Sequence, residues 1–243
     1  MGWLDALVKR PTPRDKDIPV ADRMAAAYAA AERGDHAGAL AIWGPLAHAG
    51  VARAQNNVGA CFAEGLGVER DAKLAVQWLS LAAAAGDAVG RRNLAALYFK
   101  GEGVEEDHGR AAELYRAAAD QGDGPAQDML SWMLLEGEVA APDYGEARRW
   151  AEAAAAQGIA ASMTRLGMIF HNALGVERDA TQAAAWWREA AARGDADGQA
   201  MLGAAHHLGA GVERDPSTAG KFHLNDLDRG RKARGRHVAA QIA

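Results

Sequence analysis

The 243-residue chain carries 27 Lys and Arg against 32 Asp and Glu, a formal net charge of −5, and 49% hydrophobic residues with only 6% aromatics. Abundant alanine with sparse β-branched and aromatic side chains excludes a large sheet and favours helix, while the acidic balance excludes a dedicated nucleic-acid binder over most of the length. The single cysteine, Cys61, excludes an intrachain disulfide and fits a reducing compartment.

At the N-terminus, Trp3, Leu4, Leu7 and Val8 would share one face of a short helix, too brief to be stable alone. That face either folds back on the first helices or docks on a partner helix or membrane surface. Pro11, Pro13 and Pro19 then keep a linker out of helix, so residues 1–20 form a short helix and a Pro-rich linker. Lys9 and Arg10 follow the apolar stretch, the reverse of a secretory signal. No run approaches the roughly 18 apolar residues that span a bilayer. A cytoplasmic protein is expected.

Residues 21–50 read as a shorter helical pair, Asp22–Arg33 and His36–Ala49. Ala39, Ile42, Trp43 and Leu46 lie one period before Ala75, Trp78, Leu79 and Ala82, which marks a degenerate capping repeat. From there the period is explicit. Gly50, Gly86, Gly122, Gly158, Gly194 and Gly230 recur every 36 residues, in step with Asp71, Asp107, Asp143, Asp179 and Asp215. Ala75, Ala111, Ala147, Ala183 and Ala219 form a third series, and Trp78, Leu114, Trp150, Trp186 and Phe222 a fourth.

Each series has a physical reason. The glycine closes an alanine-rich helix, where a residue tolerant of positive φ is wanted. The aspartate precedes the second helix and can accept from its free N–H groups. Counting from it, the small residue at +4, the large one at +7 and the alanines at +11 and +12 make one helical face. In the first helix, Val58-Gly59-x-x-Phe62 recurs as Leu94-Ala95-x-x-Tyr98, Leu130-Ser131-x-x-Leu134, Leu166-Gly167-x-x-Phe170 and Leu202-Gly203-x-x-His206, a buried stripe. The turn Gly65-Leu-Gly-Val68 returns at Gly101–Val104 and Gly209–Val212. The third copy departs from it at Gly137-Glu-Val-Ala-Ala-Pro142, and the fourth has Ala173 in place of the first glycine. The predicted fold is all-α: a right-handed superhelical α-solenoid of helix-turn-helix units, each burying its apolar face on its neighbours.

These motifs closely resemble the Sel-one-like repeat (SLR) family, a relative of the tetratricopeptide repeat. In this register five copies run at 52–88, 89–124, 125–160, 161–196 and 197–230, and the five-repeat domain spans 51–230. The resemblance implies an adaptor or scaffold, of the kind found in bacterial signalling, envelope processes or host contact. It also implies, more remotely, a cell-wall-related enzyme or binder of the penicillin-binding type. The cysteines that staple secreted members of the family are missing here.

Beyond the core stripe, three series of the first helices should line the concave face. They are Asn57, Asn93, Met129, Arg165, Met201; then Ala60, Ala96, Trp132, Met168, Ala204; then Ala63, Phe99, Leu135, His171, His207. Phe99, Met129, Trp132, Leu135, Met168 and His171 are the candidate partner-binding residues, an apolar strip suited to an extended or helical peptide. The competing reading shifts the register by one and places these side chains in the core.

At the C-terminus, Phe222, Leu224, Leu227, Val238 and Ile242 suggest a capping helix, with residues 231–243 a basic tail. Arg229, Arg231, Lys232, Arg234 and Arg236 form a basic patch with no acid among them. It is either a solvated cap face or a contact for an acidic partner, nucleic acid or anionic lipid. The last two would make the protein a membrane- or nucleic-acid-associated regulator.

No catalytic constellation is expected. G-x-S-x-G, P-loop, H-E-x-x-H and paired CxxC patterns are missing. His206 and His207 diverge by about 100° on a helix and would not chelate one ion. Cys61 falls on a first helix in the register of Leu97, Met133, Ile169 and Ala205, which reads as packing. The expected protein is a non-enzymatic monomer, without cofactor or metal, that binds another protein or peptide.

Overall fold

The computed structural model describes residues 18–215, so the Trp3 segment and the basic patch lie outside the described residues. The described residues are entirely helical with connecting turns, without strands. They form α1 (Val20–Glu32), α2 (His36–His48), α3 (Ala52–Glu64), α4 (Ala72–Ala84), α5 (Ala88–Lys100) and α6 (His108–Ala119). There follow α7 (Gly124–Glu136), α8 (Tyr144–Ala156), α9 (Ala160–His171), α10 (Ala180–Ala192) and α11 (Ala196–Leu208). The fold is a run of helical hairpins. The chain divides into two compact units, Met1–Gln121 and Gly122–Ala243.

In the first unit each of α1 to α6 packs on the next, and the first helices α3 and α5 also pack on each other. In the second unit α7 to α11 do the same, with direct contacts of α7 on α9 and α9 on α11. First helices therefore make the more crowded layer within each unit.

The periodic aspartates do what their placement demands. Asp71 accepts from Lys73 and Leu74 N–H, Asp107 from Arg110, Asp143 from Glu146 and Asp179 from Gln182. Each supplies an acceptor for amides that have none inside the helix. A second aspartate series, not singled out above, caps first helices: Asp87, Asp123 and Asp195 accept from Gly90, Ala126 and Gly198. The glycines before them take φ of 86° to 89° at Gly86 and Gly122 and 85° at Gly194.

Small side chains set the helix spacing. Ala75, Ala111, Ala147 and Ala183 are fully buried. A Cβ added at Gly59 would sit 2.7 Å from the Leu79 side chain. The second-helix face is centred slightly later than the +7 position: Trp78 and Trp186 are half-buried, whereas Leu79 and Trp187 are buried.

The second glycine of the turn is a close-approach position. Gly103 (φ 73°) lies against the Ala72 carbonyl, and Gly211 (φ 74°) against that of Ala180. Each turn thus rests on the start of the second helix one repeat earlier, which leaves no room for a side chain. The fourth copy departs where its sequence does. Ala173 has φ 56°, the only non-glycine at positive φ among the described residues, because it stands where the other copies have glycine.

Candidate partner-binding surface

The two units present different first-helix surfaces. In the first unit the corresponding face of α3 and α5 is small and polar, and Asn56 and Asn93 on it are buried. Asn93 Nδ2 donates to Asn56 Oδ1 at 2.9 Å. The Asn57 amide oxygen accepts from Tyr28 Oη and Trp43 Nε1, each at 3.2 Å. Ala60 and Ala96 are half-buried between them. Phe99, the one candidate in this unit, stacks on His108 with ring centroids 4.5 Å apart.

In the second unit the buried polar residues of the same helices include a charged pair. Asp128 on α7 is buried and accepts from Arg165 Nη1 at 2.6 Å and from Ser162 Oγ, both on α9. Arg165 itself is only 12% exposed, so its charge is neutralised inside the protein and not offered to solvent. Thr164 Oγ1 donates to Asp195 at 2.6 Å, which ties α9 to the start of α11. What these helices leave outside is Met129, Trp132 and Met168, all half-buried.

Of the other three candidates, two lie largely inside the second unit. Leu135 is buried at 8% exposure in the core cluster with Ala147, Met163, Leu166 and Ile169. The expectation that it lines a groove is therefore corrected: residue 135 lies about 120° around the helix from Met129 and points into the hairpin. His171 is half-buried, its ring 5.4 Å from the buried Trp187, with Nδ1 enclosed and without a hydrogen-bond partner. Phe99 belongs to the first unit, where it stacks on His108. The third series is thus largely internal, since Ala63 is buried too; only His207 of that series is exposed.

Two side chains extend the strip on α11. Met201 is 37% exposed and Leu208 71%. Met201 was in the first concave series. Leu208 was missed, though its signal is plain: it stands where the other copies have Glu64, Lys100, Glu136 and Asn172. A leucine at a position otherwise polar, on a helix terminus, is an exposed apolar group that folding does not require.

The remaining candidate chemistry is structural. Burial pushes the Cys61 thiol from 9.0 up to about 12, so it is a protonated core side chain and not a nucleophile. His206 is half-buried beside the Glu213 carbonyl at 3.2 Å, not fully buried as its register predicts. Among the described residues no three His, Cys, Asp or Glu gather as a metal site, and no helix is long and apolar enough to cross a membrane.

The Sel1 repeat family model matches residues 52–87, 88–123, 124–159, 160–195 and 196–223. The chain belongs to the Sel1 repeat family. Sel1 repeats generally mediate protein–protein interaction, and the family is typically a non-enzymatic scaffold. Among solved structures, the chain is 29% identical to a Sel1 repeat protein from Oxalobacter formigenes, with TM-score 0.78, covering 85% of this chain and 84% of that one. A protective antigen with an SLR fold from uropathogenic Escherichia coli is 26% identical, TM-score 0.60, covering 84% of this chain and 52% of the antigen. A Sel1 repeat protein from Klebsiella pneumoniae shares the fold at 18% identity, TM-score 0.51, over 83% of this chain and 98% of its own. No curated protein sequence matches the chain.

Proposed function

We propose that this Sel1 repeat protein is a non-enzymatic adaptor that holds a segment of a partner protein on the Met–Trp strip of its second unit. The observation that carries the reading is the contrast between neighbouring positions on the same helices. Leu130, Met133, Leu166 and Ile169 close the core, with exposure of 1% or less. Met129, Trp132 and Met168, about 100° around the helix from them, stay half-buried, and Met201 and Leu208 are exposed.

Leu130, Met133, Leu166 and Ile169 already fill the core side of α7 and α9, which supports a role for the strip in contact with a partner. A tryptophan offers a large rigid contact area, and methionines adapt to varied apolar partners. Neutralising Arg165 with Asp128 removes the charge that would otherwise resist desolvation on docking.

A photo-crosslinking amino acid placed in turn at residues 168, 201 and 185 tests the assignment, in the cells that make the protein. Ala185 is an exposed position on the second helix α10. The proposal expects defined adducts at 168 and 201 but not at 185. Equal labelling at all three positions, or adducts at 185 alone, would contradict it.

A further inference from the structure

The strip of the second unit has acidic ends. On α7 the exposed Glu136 stands four residues after Trp132, and on α11 the exposed Asp197 stands four before Met201. Residues four apart share a helical face, so each carboxylate flanks the apolar side chains. Neither forms an ion pair with another described residue, and nor do the exposed Glu177 and Glu213 in the turns beyond α9 and α11. The cation on this face, Arg165, is already held by Asp128. Over residues 122–215 there are 14 Asp and Glu against 7 Arg and no Lys. An occupant of this surface must offer both apolar groups and positive charge.

The chain itself contains a segment of that chemistry. Residues 229–243 hold Arg229, Arg231, Lys232, Arg234 and Arg236, then Val238 and Ile242, with no acid. The N-terminal candidate fits less well, because residues 1–10 balance Lys9 and Arg10 partly with Asp5. The last matched repeat ends at residue 223, so residues 224–228 join it to the basic segment, roughly 17 Å when extended, and the basic segment itself can span roughly 50 Å. Helices packed 8–10 Å apart place α7 only about 20 Å from α11, so the whole strip lies within reach.

We infer that residues 229–243 dock on the Met–Trp strip of the same molecule and compete with the partner for it. This rests on the strip being the partner surface. The cations pair with Glu136, Asp197 and Glu213 at its rim, and Val238 and Ile242 cover Met168 and Met201. A partner would then have to displace a tethered segment, whose effective concentration is on the order of millimolar.

The test uses the full-length chain and a full-length variant with Arg231→Glu, Lys232→Glu, Arg234→Glu and Arg236→Glu. Hydrogen peroxide oxidation is followed at each methionine by mass spectrometry. Met133 and Met163, 1% and 3% exposed, report whether the fold is intact. The variant should oxidise at Met168 and Met201 at least about fivefold faster than the wild type, as expected when a tethered cover is released. Salt near 1 M, where the Debye length is about 3 Å, should speed the wild type in the same way. A synthetic peptide of residues 229–243 should bind the variant and lose binding on Trp132→Ala.

Equal oxidation of Met168 and Met201 in both chains, or no binding of the peptide, would overturn the inference. So would protection that grows with protein concentration, since that points to the tail of a second copy. Adducts at residue 168 that persist while the tail experiment fails would leave the adaptor reading standing; loss of both would remove the strip itself.

Discussion

The two units share one hairpin plan and spend the same first-helix positions differently. In the first unit those positions are asparagine and alanine, and they are used up in contacts such as Asn93 to Asn56 and Asn57 to Tyr28 and Trp43. In the second, the buried polar contacts are charged, Asp128 with Ser162 and Arg165, and the neighbouring positions hold methionine, tryptophan and leucine. A repeat fixes where a side chain sits. Whether that side chain serves folding or recognition depends on what the neighbouring copy offers it.

The largest effect that separates the units comes from their buried polar pairs. Asp128→Ala strands a nearly buried guanidinium and should cost about 3–5 kcal/mol. Asn56→Ala removes a neutral hydrogen bond and should cost about 1–2 kcal/mol. Urea unfolding of both variants measures the difference, and equal losses would erase the contrast.

The turns give the next contrast. Gly103→Ala forces a side chain at positive φ against the Ala72 carbonyl and should cost about 3 kcal/mol. The corresponding residue of the second unit's first hairpin is Val139, 49% exposed, and Val139→Gly should change stability by less than about 1 kcal/mol.

The thiol supplies a pH test confined to the first unit. Cys61 is held near 12 in the folded protein against 9.0 for an unburied thiol. Above pH 9.0 the unfolded chain releases a proton that the folded protein keeps. Stability is therefore whole below that pH and declines as pH rises toward 12. At pH 8 a thiol reagent should label Cys61 only after denaturant is added. A smaller effect is expected in the second unit, where Ala173→Gly relieves the φ of 56° and should raise stability by about 0.5–1 kcal/mol in thermal unfolding.

Much of this architecture was legible in the sequence because glycine turns and aspartate caps are local demands that recur wherever the hairpin does. The capping role of Asp71, Asp107, Asp143 and Asp179 followed from position alone. The second aspartate series escaped notice because Asp87, Asp123 and Asp195 follow the glycines and read as part of one turn. The rotation of each helix about its axis was the weakest inference. Residues 132 and 135 are one turn apart, about 300° around the helix, so a small error in the centre of the core stripe moves Leu135 from surface to core. Pairs such as Asp128 and Arg165 were illegible for another reason. Two charges 37 residues apart look like solvated surface until the repeat stacking brings α7 and α9 together.

The central claim is that the second unit's strip is surplus to folding and serves a partner, and Trp132→Ala beside Leu130→Ala tests it most directly. Leu130 is fully buried, so its truncation should cost 2–5 kcal/mol. Trp132→Ala should lower the melting temperature by no more than about 3 °C, roughly 1 kcal/mol for a domain of this size, while binding of the cross-linked partner weakens at least tenfold, about 1.4 kcal/mol. A Trp132→Ala chain as unstable as Leu130→Ala, with partner affinity unchanged, would show that the tryptophan belongs to the core and would contradict the account.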